Sequence, residues 1–281
     1  MALEPRTYLI PGNPVSLGAD VRRIVAPNAG MMTGPGTNTY LLGQGEVAVL
    51  DPGPDIESHL LALLNAAGVI RWVLVTHTHR DHSPLAARLA ERTGARLLGR
   101  APPRDGRQDE TFRPDHEPSD GERLRLGDIE LTAIHTPGHA SNCLCYLLQR
   151  ERLLFTGDHV LEGVSPVILP PDGDMSAYLD SLDKLASFDF EGIAPGHGGV
   201  MQRGKRVVSA LKAHRLARER KVMKKLAAGP ATLDQLTPAV YDDVSPERHS
   251  WAKLTLEAHL IKLQRDGHAV LHGGSWRISR A

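Results

Sequence analysis

Only two cysteines, Cys143 and Cys145, occur in the 281 residues. A disulfide framework is therefore excluded, and a reducing compartment is compatible with the composition. Two positions apart within 142–148, they share one face of a strand and read as small apolar core residues. A metal or redox pair would show the C-x-x-C spacing that is missing here. No uninterrupted apolar stretch reaches the length needed to span a bilayer. The first residues, Met1-Ala2-Leu3-Glu4-Pro5-Arg6, lack the basic segment and apolar run of a secretory signal. These absences together lead to the expectation of a soluble, cytoplasmic protein. There is no Gly-x-Ser-x-Gly, so no serine-nucleophile elbow is indicated. Net charge is absent too, at +0, which argues against a wholesale nucleic-acid binder.

What is present is enough apolar residue, 41%, for a sizeable core. The zero charge also hides an asymmetry. Residues 1–205 hold 19 Lys and Arg against 26 Asp and Glu, a net of −7, and residues 206–281 hold 14 against 7, a net of +7. A basic terminal module is one reading of this; a solvated helical surface gives the same count.

Short β-rich runs dominate the first part. Thr39–Leu42 and Glu46–Leu50 flank Gly43-Gln44-Gly45 and predict a hairpin, and 71–76, 95–98, 129–135, 142–148, 152–156 and 193–195 predict further strands. Ile56, Leu60, Leu63, Leu64 and Ala67 form the stripe of an amphipathic helix; 84–92 and 176–186 predict two more. Strands in two batches, each interrupted or followed by helices, suit an α/β fold of two packed sheets with helices outside. The stretch 100–120, rich in Pro, Arg, Asp and Glu, reads as an exposed, solvated loop. From about Lys205 the pattern changes to a basic helix over 210–228, a helix over 233–241 capped by Thr232, a third opened by Ser245-Pro246-Glu247, and a hairpin around Gly273-Gly274. Three helices and a terminal hairpin predict a winged-helix-like module. The expected domains are 1–204 and 205–281. Trp251 and Trp276 are expected in the core of the second.

The densest chemistry lies in His77-Thr78-His79-Arg80-Asp81-His82. His77 and His79, two apart after a strand, turn both imidazoles to one side, and Asp81 and His82 follow across a turn. Imidazole and carboxylate suit zinc and other borderline divalent cations. With 14 His, a random H-x-H-x-D-H has a probability of about 0.002, so satisfied structural histidines are the weaker reading. His139, Asp158 and His197 each follow a strand beside a glycine, where the backbone can approach closely. Seven ligands fill two metal sites with one carboxylate bridge and leave a position for water.

Asp51, His77-x-His79-x-Asp81-His82, His139, Asp158 and His197 together resemble the five-motif signature of the metallo-β-lactamase-fold hydrolases, over about residues 20–200. The resemblance implies an αββα sandwich, with His77, His79 and His139 on one metal and Asp81, His82 and His197 on the other. Asp158 would bridge the two, and Asp51 would fix the ligand loop without being a ligand. It also implies two Zn²⁺ ions, although the same ligands accept Mn²⁺ or Fe²⁺. More narrowly, Thr33-Gly34-Pro35-Gly36-Thr37-Asn38-Thr39-Tyr40-Leu41, the His77–Ser83 run and the basic tail resemble the β-lactamase-like protein 2 family along nearly the whole chain. That family includes an endoribonuclease acting on single-stranded RNA. The 100–120 loop and His159, directly after Asp158, depart from its pattern; His159 is either a local acid–base group or a packing histidine.

The expected chemistry is two-metal hydrolysis by a water whose pKa falls to about 7, with Asp81 and Asp158 as catalytic groups orienting it. Single-stranded RNA is the first expected substrate, because phosphate neutralisation calls for a basic module; the tail lacks an aromatic stacking ladder. A small-molecule ester, thioester or lactone is the second, with the tail shaping a pocket or a homodimer. A DNA-binding regulator is the third, and would be expected to have lost its ligands.

Overall fold

The computed structural model describes residues 9–279; the segment 1–6 read above for a signal lies outside them. The first sheet runs in chain order, β1 (Val15–Ser16), β2 (Val21–Val25), β3 (Asn38–Leu42), β4 (Glu46–Leu50), β5 (Val69–Leu74) and β6 (Arg96–Leu98). It is antiparallel up to β4 and parallel from β4 to β6. Helices α1 (Glu57–Ala67) and α2 (Leu85–Thr93) supply the two parallel crossovers.

The second sheet comprises β7 (Arg123–Leu126), β8 (Ile129–His135), β9 (Leu144–Leu148), β10 (Leu153–Gly157) and β11 (Gly192–Pro195), in the order β11-β10-β9-β8-β7. Only β10 and β11 are parallel, joined through α3 (Met175–Ala186). The Asp174 carboxylate accepts the Ser176 and Ala177 N–H groups at 2.8 and 3.0 Å and caps α3, a contact worth about 1 kcal/mol.

Period-two alternation assigns the layers. Tyr40, Leu42, Ala48 and Leu50 point inward to meet Leu131, Ala133, Leu144, Tyr146 and Phe155 of the opposite sheet. Their neighbours Leu41, Val47 and Val49 point outward against Leu60 and Leu63 of α1 and Leu85 and Leu89 of α2. On the far side Ile134, Cys145, Leu147 and Leu154 pack under Tyr178, Leu182 and Leu185 of α3. Four layers, helix–sheet–sheet–helix, result. Both cysteines are free and buried, as the spacing predicts.

The C-terminal part consists of α4 (Gly204–Ala227), α5 (Leu233–Val240), a 3₁₀ turn at Pro246–Arg248, α6 (His249–Arg265) and the hairpin β12 (Ala269–His272)–β13 (Ser275–Ile278). Thr232 and Gln235 form a reciprocal capping box at the start of α5. Helix α4 is continuous between two cores: Val208 packs under the second sheet, and Val222 and Leu226 pack with Leu236, Leu256, Leu260 and Trp276. Ala258 of α6 also joins the core beneath the second sheet.

Three expectations change or sharpen. Strands β1, β2 and β7 extend the two sheets beyond what the sequence pattern announced, with β1 and β7 as edges. Trp276 is buried, but Trp251 is 37% exposed, because its position on α6 faces a cavity rather than the hairpin. The 100–120 segment is irregular and largely exposed, as expected of a loop, but it is pinned: Phe112 inserts fully into the core beneath α1 and α2, and Gln108 and Asp109 are buried. Among the described residues no helix is long and apolar enough to cross a membrane.

Leu131 is fully buried between the sheets. Leu131→Ala is expected to lower unfolding stability by about 3 kcal/mol in urea titration, through lost transfer energy and a cavity that the two sheets cannot close.

Candidate metal centre

Every expected metal ligand emerges at the carboxyl end of a strand or in the turn that follows one. Parallel pairing levels the ends of β4 and β5, with Leu50 opposite Leu74, so Asp51 and the His77–His82 loop start side by side. Asp158 and His197 likewise follow the parallel strands β10 and β11, and His139 occupies the β8–β9 turn. Hydrogen bonds stitch the two sheets at this edge. The Leu144 N–H donates to the Thr76 carbonyl at 2.7 Å, the Asn38 N–H to the Gly196 carbonyl at 2.7 Å, and the Tyr146 hydroxyl to the Val75 carbonyl at 3.1 Å. Gly157 sits at φ +48°, where a Cβ would stand 2.3 Å from Thr76 Oγ1; only glycine allows this approach.

The structure gathers all seven residues into two groups whose donor atoms lie within 4.8 Å of one another, His77/His79/His139 and Asp81/His82/Asp158/His197. His79 Nδ1 lies 3.0 Å from His139 Nε2. Asp158 looks toward both groups. Its Oδ1 is 3.3 Å from His82 Nε2 and from His197 Nε2, and its Oδ2 is 3.8 Å from His139 Nε2. Asp81 Oδ2 lies 3.1 Å from His197 Nε2.

Four imidazoles are aimed by a hydrogen bond on the opposite ring nitrogen, which fixes ring direction. His139 Nδ1 bonds the Val167 carbonyl at 2.7 Å and His197 Nδ1 the Gly36 carbonyl at 3.2 Å. The other two share Asp51. Its carboxylate accepts from the Thr76 N–H at 2.7 Å, the Thr76 hydroxyl at 2.8 Å and His82 Nδ1 at 3.0 Å, while His77 Nδ1 donates to Thr76 Oγ1 at 3.0 Å. Asp51 thereby orients two histidines and stands outside both ligand groups.

Other supporting residues escaped the sequence reading of roles. Asn38 Nδ2 donates to the Pro195 and Gly198 carbonyls at 2.9 and 2.8 Å, and the Tyr40 hydroxyl donates to Pro195 at 2.7 Å. Together they clasp the His197 loop to β3. Thr37, Asn38 and Thr39 are polar yet fully buried, and such a polar run at a strand start was the available signal. The loop at 100–120 carries no such signal: Gln108 accepts from the Thr78 hydroxyl at 3.0 Å and Asp109 from the Ser83 hydroxyl at 2.7 Å, bracing the ligand loop from a distant segment. His159 is fully buried against the Tyr178 ring, centroids 4.7 Å apart, and belongs to neither group. Burial pulls it down to about 3, so it is a neutral packing histidine and not an acid–base group.

The two groups differ in charge. Burial, with neighbouring histidines, pulls His79 down to about 3 and His77 and His139 below the ordinary range; this trio is neutral at pH 7. Burial also opposes charge on His197, but Asp158 and Asp81 outweigh it and push His197 up to about 10. His82 is raised in the same way against its burial by Asp81, Asp158 and Asp51. The carboxyls of Asp81 and Asp158, despite burial, are held low by these imidazoles.

His77 Nε2, His82 Nε2, His197 Nε2 and Asp158 Oδ1 are buried without a hydrogen-bond partner. Their nearest polar neighbours are close but misaligned, and buried polar groups of this kind are costly unless something satisfies them. A three-imidazole group beside a mixed imidazole–carboxylate group fits two borderline divalent cations.

Comparison with known proteins agrees with this geometry. Residues 32–197 match the Metallo-beta-lactamase superfamily, and residues 232–276 match the Beta-lactamase associated winged helix domain. The chain is 32% identical over 259 residues to a beta-lactamase-like protein 2 homolog of Caenorhabditis elegans, covering 88% of this chain and 85% of that one. It is 32% identical over 247 residues to an atrochrysone carboxyl ACP thioesterase of Aspergillus fumigatus, covering 80% and 74%. A metallo-beta-lactamase family protein of Thermus thermophilus superposes with a TM-score of 0.78 at 25% identity, covering 94% of this chain and 100% of that one. With ligands, layers and terminal module all in agreement, the chain belongs to the metallo-β-lactamase superfamily and is a metal-dependent hydrolase carrying that family's winged helix.

Proposed function

We propose that the protein hydrolyses small acyl esters, with thioesters foremost, at a binuclear centre. The observation that carries this is a cavity of about 360 Å³ that starts at His139 and Asp158 and extends between 161–167 and α6. Met31, Met32, Leu161, Val164, Val167 and Trp251 line it, a surface suited to an acyl chain. The thioesterase name of the Aspergillus relative supports the same reading. RNA, the first expectation from charge, is disfavoured by how that charge is used. Lys212, Arg218, Lys221, Lys253, Lys262 and Arg265 each pair with a carboxylate, leaving fewer cations for a phosphate backbone.

In this reading residues 1–204 form the catalytic domain and 205–281 the winged-helix domain that closes the acyl cavity. His77, His79 and His139 would hold one cation and Asp81, His82 and His197 the other, with Asp158 available to both. Zinc is the first choice, and manganese or iron suit the same donors. When bound, such a pair supplies Lewis acidity and lowers the pKa of water to about 7. Asp81 and Asp158 would orient the attacking water, Asp51 keeps His77 and His82 in place, and the apolar side chains of the cavity give the acyl part a surface to lie against.

Purified protein loaded with zinc is expected to turn over acyl thioesters and to leave single-stranded RNA intact. A double Asp81→Ala/His82→Ala variant is expected to lose about 10³-fold or more in kcat/KM. Cleaved RNA with untouched thioesters and lactones would overturn the proposal.

Gly196 has a second test of the ligand assignment. A Cβ there would lie 2.5 Å from Asp158 Oδ1 and 2.7 Å from His82 Cε1, inside the space a cation needs. Gly196→Ala is expected to weaken one of two bound metals by about 10- to 100-fold in competitive chelator titration, while the other stays; two unaltered sites would count against the assignment.

Cation binding should also release protons. His197, raised to about 10, is protonated at pH 7 in the metal-free protein, so a cation entering its group must displace that proton. Affinity for that site therefore rises with pH and levels off only as pH passes the raised value. The neutral trio has no proton to lose. Calorimetry in buffers of different ionisation enthalpy is expected to read about one to two protons released, all with one of the two metals; heats independent of buffer would refute this.

A further inference from the structure

Arg215 is a cation in an unusual place. It lies on α4, is 3% exposed, and lines the same cavity as His139 and Asp158. Its partners are the Pro166 carbonyl, which one Nη contacts closely, and Tyr178, whose ring lies 5.2 Å from its guanidinium carbon and whose hydroxyl is within its reach; all of these are neutral. Its Nε is buried without a hydrogen-bond partner. No carboxylate of a described residue forms an ion pair with it. Arg218, one turn along, differs: it binds both oxygens of Asp243 at 2.6 and 2.9 Å and stacks on Tyr241. Asp243 is thus taken, and Arg248 at the cavity mouth is exposed with no paired acid among the described residues.

A buried, always-charged guanidinium is costly without a counter-ion. One carbonyl and an aromatic face only partly compensate it, and packing alone would be served by an apolar residue. Three guanidiniums against the single carboxylate of Asp243 leave this part of the cavity positive; it adjoins the metal-facing end, since Arg215 contacts the Pro166 carbonyl and His139 the neighbouring Val167 carbonyl. The planar fork of arginine matches a carboxylate through two parallel hydrogen bonds. A phosphate would accept the same fork, so the acyl carboxylate is told from a phosphate by substrates that carry one and not the other.

Resting on the acyl-ester reading above, we propose that Arg215 is a specificity-determining residue that binds a free carboxylate on the acyl part of the substrate. The substrate class is then a monothioester or monoester of a dicarboxylic acid. Its scissile carbonyl lies at the metal end of the cavity, its carbon chain along Val167 and Trp251, and its second carboxylate at Arg215, with Arg248 drawing the anion in.

The test uses N-acetylcysteamine thioesters, whose thiol half is neutral, so that the acyl carboxylate is the only anion. Zinc-loaded wild-type protein is expected to prefer the glutaryl over the valeryl thioester by about tenfold or more in kcat/KM. Arg215→Met is expected to erase that preference while still hydrolysing the valeryl thioester, and Arg215→Lys to keep part of it. The ratio of the two substrates is insensitive to the fraction of folded enzyme. Valeryl-coenzyme A provides the other source of an oxyanion: a gain from its phosphates that disappears in Arg215→Met would overturn the acyl assignment. A wild-type enzyme that hydrolyses both N-acetylcysteamine thioesters equally refutes the carboxylate site and leaves the thioesterase reading standing. Should no thioester turn over, calorimetry with free acids decides the site alone. Glutarate binding about tenfold more tightly than valerate to wild type, and not to Arg215→Met, upholds the site; equal affinities refute it.

Discussion

The site depends on one buried carboxylate held at a strained turn. Asp51 takes φ +51° immediately after β4, a left-handed conformation that Asp tolerates better than most side chains. From there it accepts the Thr76 N–H and hydroxyl and the His82 ring. The acceptor serves both ligand groups, because Thr76 passes the orientation on to His77. Parallel pairing of β4 and β5 makes this geometry available, since it brings Asp51 and Thr76, 25 residues apart, to the same level of one sheet. Neither residue needs to touch a metal for both to decide where the imidazoles point.

The two faces of the centre then divide the work by their surroundings. Three imidazoles kept neutral by burial sit beside a group in which two carboxylates and two raised imidazoles balance one another. Asp158 faces both. Beyond it the cavity is lined by apolar side chains and by the guanidiniums of Arg215, Arg218 and Arg248. In the C-terminal part six of the fourteen lysines and arginines of 206–281 pair with carboxylates, among them Asp174, which caps α3, and Asp183 within it.

Much of this was legible in the chain. Period-two alternation in Tyr40–Leu42 and Leu144–Leu148 already separates inner from outer faces, and the α1 stripe names the side chains that cover one of them. The ligands were legible because metal chemistry restricts residue types and because a rigid strand end restricts spacing. The anchors of the 100–120 loop, Phe112, Gln108 and Asp109, are not legible because they are scattered among charged residues with no period. Trp251 was misread because helical periodicity reports which residues share a face and is silent on whether that face meets a core or a cavity.

By itself, then, the sequence determined the α/β class and the terminal helices and hairpin, which rest on local periodicity, capping and turn chemistry, and it offered seven candidate donors through residue type and motif spacing. Tertiary structure alone decided that Asp51 organises two histidines, that Asn38 clasps the His197 loop from 157 residues away, and that six of the tail's cations are paired with carboxylates. It also put Arg215 beside the metal ligands without an acid of its own. These are matters of which distant groups meet, and a buried charge becomes informative only when its surroundings are known, because its cost depends on what stands within a few ångströms of it.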